Sequence, residues 1–501
     1  MTASREGTLR FRVGIELNMR DATEKVLTRR SHSAMTTSTN PATLTSTSPH
    51  DPSDVVAAHR AATAADVHSA AERARAAQAE WWSLGAAKRA AALDAAASAL
   101  ESRADEATAL IVREVGKPVV EARGEVGRTV SILRYYAQAG FSADGAMYPP
   151  SMSGYLFTQR RPHGLAGLIT PWNFPLAIPM WKAAPALAAG NAVLLKPSPD
   201  AMGAADLLAD VLGTVLPHGL FNVLPGDGET GAAVVSSCDV VSFTGSSAVG
   251  RQVIVAAATA GVPVQAEMGG QNAAIVLPDA DARRTATMIA AAAMGYAGQK
   301  CTATRRIIVV GDRSDMVEAL AEAVAAMAPR DPAEPGHVVG PMISEHARQR
   351  VLDAIAAGIA GGGRVLAGGG LAEAPPGPGW YVRPTLLDGV PRDHQLAREE
   401  VFGPLAIVLR VDDVDEAVAL ANSVRYGLVG SVHGRDLDLI LSLSARLQTG
   451  LVKVNAPTSG VDFYAPFGGD KDSSYGQREQ GTAGLDFYST TRTIAVVPHG
   501  D

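Results

Sequence analysis

A chain of 501 residues is too long for a single simple core and should divide into two or three domains. A formal charge of −7 argues against a nucleic-acid partner, and two cysteines cannot build a disulfide framework, so a reducing cytoplasm is the expected compartment. The most apolar stretch, "GLAGLITPWNFPLAIPMW", carries three prolines and an asparagine and ends at Lys182, while Arg5, Arg10 and Arg12 lead to Glu16 and not to an apolar run; neither a membrane span nor a secretory signal is expected.

Residues 1–48 stand apart. In "SHSAMTTSTNPATLTSTSPH" 11 of 20 residues are Ser or Thr and apolar periodicity is absent, which predicts a flexible tail, with Met35 as an alternative start. From Asp54 onward "AADVHSAAERARAAQAEWW" and "AAKRAAALDAAASALESRADEATALIVREV" have helical period. Ser102 with Asp105 reads as a capping box, and Gly116-Lys117-Pro118 as a helix stop. From residue 164 short apolar strands, "LAGLIT", "NAVLLKPS", "LFNVLPG" and "VVSFTG", alternate with helical segments. That alternation predicts βαβ units and a doubly wound parallel sheet, an α/β fold. A second α/β run follows Cys301, from "RRIIVV" to "LVKVN".

Six short segments carry residues suited to chemistry. An isolated buried cysteine is usually a small hydrophobe, and Cys238, at the start of an apolar strand, is read so. Cys301 lies where a helix breaks at Gly298 into the polar loop "GQKCTAT". Backbone N–H groups and Lys300 beside it are expected to depress its pKa and favour a thiolate. Glu267, in "AEMGGQN", sits at the end of an apolar strand, where burial would raise its pKa toward that of a general base; the alternative is an exposed loop carboxylate. "FTGSSAVG" follows a strand and opens a helix, a place for a phosphate or merely a turn. Asn173, between the prolines of "TPWNFP", suits a fixed oxyanion donor, or an amide satisfied by its own turn. Lys196 in "LKPSPD" stands at a strand's C-terminal end, where doubly wound folds hold a nucleotide, and Glu400 and Phe402 in "EEVFGP" would grip a ribose and line a ring, or only pack a turn. No metal site is expected.

In this order and at these separations, "PWNFP", "FTGS", "E-x-GG", "GQ-x-C", "EE-x-FGP" and "PFGG-x-K", with 34 residues from Glu267 to Cys301, resemble the aldehyde dehydrogenase superfamily from about residue 49 to the C-terminus. "ILRYYA" (132–137), "GQKCTAT" (298–304) and "APFGGDKDSSYGQREQG" (465–481) look most like its α-ketoglutaric semialdehyde dehydrogenases. Residues 1–48 do not match the usual N-terminal strands, Gln271 stands where Lys is common, and Pro199 where many members carry Glu.

The resemblance implies a cofactor domain from 49–144 and 162–268, a catalytic domain from 269–470, and oligomerisation elements at 145–161 and 482–501 that make a homodimer or homotetramer. It implies that Cys301 attacks an aldehyde, Asn173 and the Cys301 N–H hold the oxyanion, and Glu267 activates the water that releases the acid. NADP or NAD would be held by Thr170, Pro171, Trp172, Lys196, Ser198, Pro199, Gly245, Ser246, Gly250, Gly269, Glu400 and Phe402. Trp181, Lys300 and Phe467 would form the substrate pocket, Lys300 as a carboxylate anchor. Trp181 stands where succinic semialdehyde dehydrogenases carry an arginine, which counts against that substrate. Pro199 removes the carboxylate that would repel a 2′-phosphate, so NADP is expected to be accepted at least as well as NAD, although Asp200 could substitute. Rival readings are a broad-specificity aliphatic or aromatic aldehyde dehydrogenase, a CoA-acylating relative, and a non-enzymatic protein of the same fold. The last two are disfavoured because Glu267, Asn173 and Cys301 all stand.

Overall fold

The computed structural model describes residues 42–141, 145–372 and 375–498; residues 1–41 of the expected tail, Met35 among them, lie outside the described residues. The tail's expected boundary at residue 48 is too late. Strand β1 (Thr43–Thr47) pairs antiparallel with β2 (Val55–Arg60), Thr43 opposite Arg60. The Ser/Thr composition that suggested disorder is here β-branched strand chemistry, and Ser46 Oγ is satisfied by the buried Glu114 carboxylate at 2.7 Å.

Helices Ala64–Ser83, Gly85–Ser102, Ala104–Val115 and Val119–Ala139 follow. The capping box expected at Ser102 and Asp105 does not form. Ser102 closes a helix and its hydroxyl donates back to Ala99 O, whereas the real box is Thr63 with Asp66. Gly116 does end its helix, with φ of 63°.

The next strands are β3 (Met147–Tyr148), β4 (Tyr155–Pro162), β5 (Leu165–Ile169), β6 (Ala192–Lys196), β7 (Phe221–Val223), β8 (Val240–Thr244) and β9 (Val264–Glu267). Then come β10 (Asn272–Val276), β11 (Thr304–Val310), β12 (Arg364–Ala367), β13 (Thr385–Asp388), β14 (Leu405–Val411), β15 (Tyr426–Gly427), β16 (Val429–His433), β17 (Leu451–Val454), β18 (Asp470–Lys471), β19 (Ser474–Tyr475) and β20 (Ser489–Val496). One sheet has the order β19-β9-β8-β5-β6-β7, parallel except for β19; the other has the order β12-β13-β14-β11-β10-β16-β17, parallel except for β12. Strands β5, β6, β10 and β11 are buried along their whole length, which is why they are continuous apolar runs and not alternating ones. Strands β20, β4 and β3 form a separate antiparallel sheet with Met147, Tyr148 and Tyr155 exposed.

Two features of this topology place a site. In the first sheet the chain runs outward from β5 to β6 and β7, then returns to β8 on the other side, so a crevice opens at the C-terminal ends of β5 and β8. From the C-terminal end of β9 only Met268–Gln271 leads into the N-terminal end of β10, which pairs with that of β11, Asn272 opposite Thr304. The C-terminal edge of one sheet is thereby joined to the N-terminal edge of the other.

Candidate active site

Cys301 precedes β11 by three residues. The helix Ala282–Met294 ends, and the backbone then turns through left-handed Tyr296 (φ 54°) and Ala297 (φ 50°), a conformation that costs a side-chain-bearing residue on the order of 1 kcal/mol or more. Packing holds it. Tyr296 N donates to Val338 O at 2.6 Å and Tyr296 OH to Val115 O at 3.0 Å. Gln299 fastens the loop further, its amide donating to Pro341 O and accepting from Ile343 N. From the start of the neighbouring strand β10, Asn272 Nδ2 donates to the carbonyls of Cys301 and Ala303 at 2.7 and 2.8 Å. Asn173 Nδ2 donates to Gln299 O at 3.0 Å, which brings the "PWNFP" loop two residues from the thiol.

A cavity of about 510 Å³ runs along the crevice to Cys301. Of the expected residues, Pro171, Trp172, Asn173, Gly245, Ser246, Gly269, Cys301, Glu400 and Phe402 line it. The structure does not bring the others to this wall. Thr170 is buried behind it, with its N–H on Lys196 O. Lys196 Nζ is buried and donates to Pro197 O at 2.8 Å, and burial lowers its pKa to about 8. Ser198 caps the short turn that Pro199 begins. Gly250 does not line the cavity: a Cβ there would stand 2.6 Å from Met268 Sδ and 3.1 Å from the Phe243 ring, so its bare backbone lets the helix Ser247–Ala260 approach the sheet. Asp200, the expected substitute for the missing carboxylate, also lines the cavity, as do Arg350 and Arg425, which sequence reasoning did not name.

The electrostatics differ from expectation at the thiol. Burial raises Cys301 to about 12, and the carboxylates of Glu400, Glu267 and Glu479 add to the effect. Lys300 does not offset them, because its Nζ turns away to Glu121 Oε2 at 2.7 Å. The depressed pKa expected for Cys301 is therefore absent in the protein alone. Glu267 does behave as expected: it is buried, and desolvation first, then Glu479, push its carboxyl well above the usual range. Its Oε2 accepts from Ser474 Oγ at 2.5 Å across the β9–β19 pairing, and its Oε1 has no partner. Behind it lies the buried ion pair Lys182–Glu479, joined by Ser242. Glu400 is raised by burial to about 7, with Arg305 opposing. In the expected substrate pocket the Trp181 and Phe467 rings lie 6.1 Å apart and both are buried. Sequence reasoning missed Asn272, Gln299, Lys182, Ser474 and Glu479. The last two lie inside "APFGGDKDSSYGQREQG", the only signal that could have pointed to them.

Residues 35–494 match the aldehyde dehydrogenase family. An alpha-ketoglutaric semialdehyde dehydrogenase of Bacillus subtilis is 38% identical over 457 residues, 90% of this chain and 94% of that protein. An alpha-ketoglutarate semialdehyde dehydrogenase of Haloferax volcanii is 41% identical over 460 residues, 89% of this chain and 94% of that protein. Among solved structures, an NAD-dependent aldehyde dehydrogenase from Sinorhizobium meliloti superposes with a TM-score of 0.87 at 34% identity, covering 92% of this chain and 93% of that one.

Proposed function

The chain belongs to the aldehyde dehydrogenase family and oxidises an aldehyde to the acid with NAD or NADP; from that premise we propose that its substrate is a semialdehyde acid of the α-ketoglutaric semialdehyde type and that Cys301 is the nucleophile. The observation that carries the site assignment is the position of Cys301 on one cavity wall with Asn173 and Glu400, at the junction that also holds Glu267. The substrate class rests on the names of the two relatives above and on the three motifs quoted for that subgroup.

The residues present fit a dinucleotide. The cavity lies at the switch point between β5 and β8, opens at the N-terminus of the 14-residue helix Ser247–Ala260, and presents Thr244 Oγ1 and Glu400 Oε1 without partners. Thr170, Pro171, Trp172, Lys196, Ser198, Pro199, Gly245, Ser246, Gly269, Glu400 and Phe402 are assigned to hold or shape that site, Lys196 and Thr170 from behind the wall.

Cys301 attacks the aldehyde carbon and forms a thiohemiacetal. The Asn173 amide and the Cys301 N–H stabilise its oxyanion, a donor of this kind lowering the barrier by about 3–4 kcal/mol. The nicotinamide supplies the hydride acceptor when bound, and a thioacyl group is left on Cys301. Glu267 then takes a proton from the attacking water. Its raised pKa means that the base form grows as pH rises, so deacylation speeds up with pH. Trp181 and Phe467 close the acyl side, and Lys300, held by Glu121, stands beside it.

A panel of semialdehyde acids, aliphatic and aromatic aldehydes ranked by kcat/KM tests the substrate class; a preference for uncharged aldehydes would instead indicate the broad-specificity reading. NADP is proposed to serve at least as well as NAD. Pro199 offers no carboxylate to repel a 2′-phosphate, and the Asp200 carboxylate accepts from Ser198 Oγ at 3.3 Å. Pro199→Glu should shift the kcat/KM ratio toward NAD by about tenfold, roughly 1.4 kcal/mol.

The exposed apolar edge of β3 and β4 with β20 is proposed to pair with another subunit in a homodimer or homotetramer, which light scattering would read directly. Two unpaired thiols support a cytoplasmic location, and no helix among the described residues is long and apolar enough to cross a membrane.

A further inference from the structure

The stretch from Lys117 to Glu125 touches neither the cavity nor Cys301, yet it grips both loops that form the site. Lys117 is fully buried just past the Gly116 helix stop, and its Nζ is ion-paired with Glu125 Oε2. The other carboxylate oxygen, Glu125 Oε1, accepts from the backbone N–H groups of Leu176 and Ala177 at 3.0 and 3.1 Å. These open the helix Ala177–Ala188, whose own N-cap residue Leu176 supplies no side-chain cap, so Glu125 caps it from another helix. The same Lys117 Nζ lies 3.7 Å from the centroid of Phe174, next to Asn173, and 4.8 Å from that of Tyr296, in the turn leading to Cys301. One helical turn before Glu125, Glu121 takes Lys300, next to Cys301, at 2.7 Å.

We propose that Lys117 and Glu125 act as a positioning pair that sets the Asn173 donor against the Cys301 thiol. A fully buried ion pair is a poor source of net stability, since an uncharged replacement of similar volume is often neutral or better. Its geometric output here is specific: one carboxylate fixes the start of the helix after Asn173, and one ammonium is shared between the two aromatic rings that flank the two loops. The inference rests on the reading of Asn173 as oxyanion donor and Cys301 as nucleophile.

The test is the single-turnover rate of reduced cofactor formation at 340 nm, with enzyme in excess over propanal or α-ketoglutaric semialdehyde, whichever the wild type turns over faster. Two variants are compared, Lys117→Met/Glu125→Gln and the isosteric Glu125→Gln alone. The double variant is expected to stay folded with wild-type Tm, and Glu125→Gln to stay folded with a lowered Tm because it leaves Lys117 buried without its partner; in both, cofactor affinity and aldehyde KM change little while the single-turnover rate falls by about tenfold or more, because sub-ångström misplacement of a donor is costly. In an Asn173→Ala background the same changes should add almost nothing, a non-additivity that a purely structural role would not produce. An unchanged rate, or an equal loss in both backgrounds, would overturn the pair as a positioning device. Failure of both variants to fold would make it a determinant of the whole fold and overturn the assignment too. If Asn173→Ala alone leaves the rate intact, the oxyanion reading fails and this inference falls with it, an outcome distinct from the others.

Discussion

Cys238 and Cys301 occupy similar places in the chain. Each follows a helix and precedes a buried parallel strand, β8 in one case and β11 in the other. Both thiols are raised by burial, Cys301 to about 12 and Cys238 higher still. Ionisation in the protein alone therefore does not tell the two thiols apart. Surroundings do. Cys238 Sγ is packed beneath β5, close enough that a Cβ on Gly167 would meet it and the Val234 side chain both at 2.9 Å, within the hydrophobic core. Cys301 opens onto the cavity, its carbonyl is tied by Asn272, and Asn173 is anchored two residues away. The comparison teaches that access and placed donors separate a reactive cysteine from a packing one, and that a thiol this high needs help on binding cofactor and aldehyde to react at neutral pH.

The sharpest way to break the comparison is to remove each thiol in turn. Cys301→Ala should lower kcat by about a thousandfold or more, since no other nucleophile replaces it, while Cys238→Ala should stay within about twofold. Wild-type turnover in Cys301→Ala would end the assignment.

Next in size is Glu267→Gln, expected to slow release of the acid by about a hundredfold. Intact-mass spectrometry after mixing with aldehyde and cofactor should then show the acyl adduct on Cys301. A variant with neither adduct nor slowed turnover would remove Glu267 from the deacylation step.

Alkylation by iodoacetamide tests the ionisation side. With a thiol near 12, the thiolate fraction and hence the labelling rate of Cys301 should rise about tenfold per pH unit from pH 7 to 10. Glu400→Gln should raise that rate severalfold by removing a neighbouring carboxylate that disfavours the thiolate. Cys238 should label only on unfolding. A Cys301 rate already flat at pH 8 would mean that its thiolate is far better stabilised than these surroundings allow.

The smallest effect concerns packing. Cys238→Ala should cost about 1 kcal/mol, seen as a lowered Tm, because its sulfur fills space between β5 and the helix Gly228–Ser237. Cys301→Ala should leave Tm nearly unchanged, since the thiol borders a cavity.

How much of this was legible beforehand follows from what kind of interaction made each feature. Strands β5, β6, β8 and β11 were readable because fully buried parallel strands must be unbroken apolar runs, and Gly and Pro punctuate their ends. Glu267, Asn173 and Cys301 were readable as motifs tied to those strand ends. Strand β1 was not, because a run of four Ser and Thr residues around Leu44 becomes a strand only against β2 and the Glu114 carboxylate, 68 residues beyond Ser46. The direction of Lys300 was not, because Glu121, 179 positions earlier in the chain, decides it. Nor was the packing role of Gly250, which depends on Met268 and Phe243 pressing on one helix face. By itself the sequence determined the order of most elements, the burial of the parallel strands and the identity of the candidate catalytic side chains, because these rest on local propensity, on hydrophobic runs and on short motifs at strand ends. Tertiary structure alone decided which way each polar side chain points, which carboxylates surround the thiol and how far its pKa is raised. Those depend on groups that meet only when distant segments pack, in a low-dielectric interior where every neighbour counts.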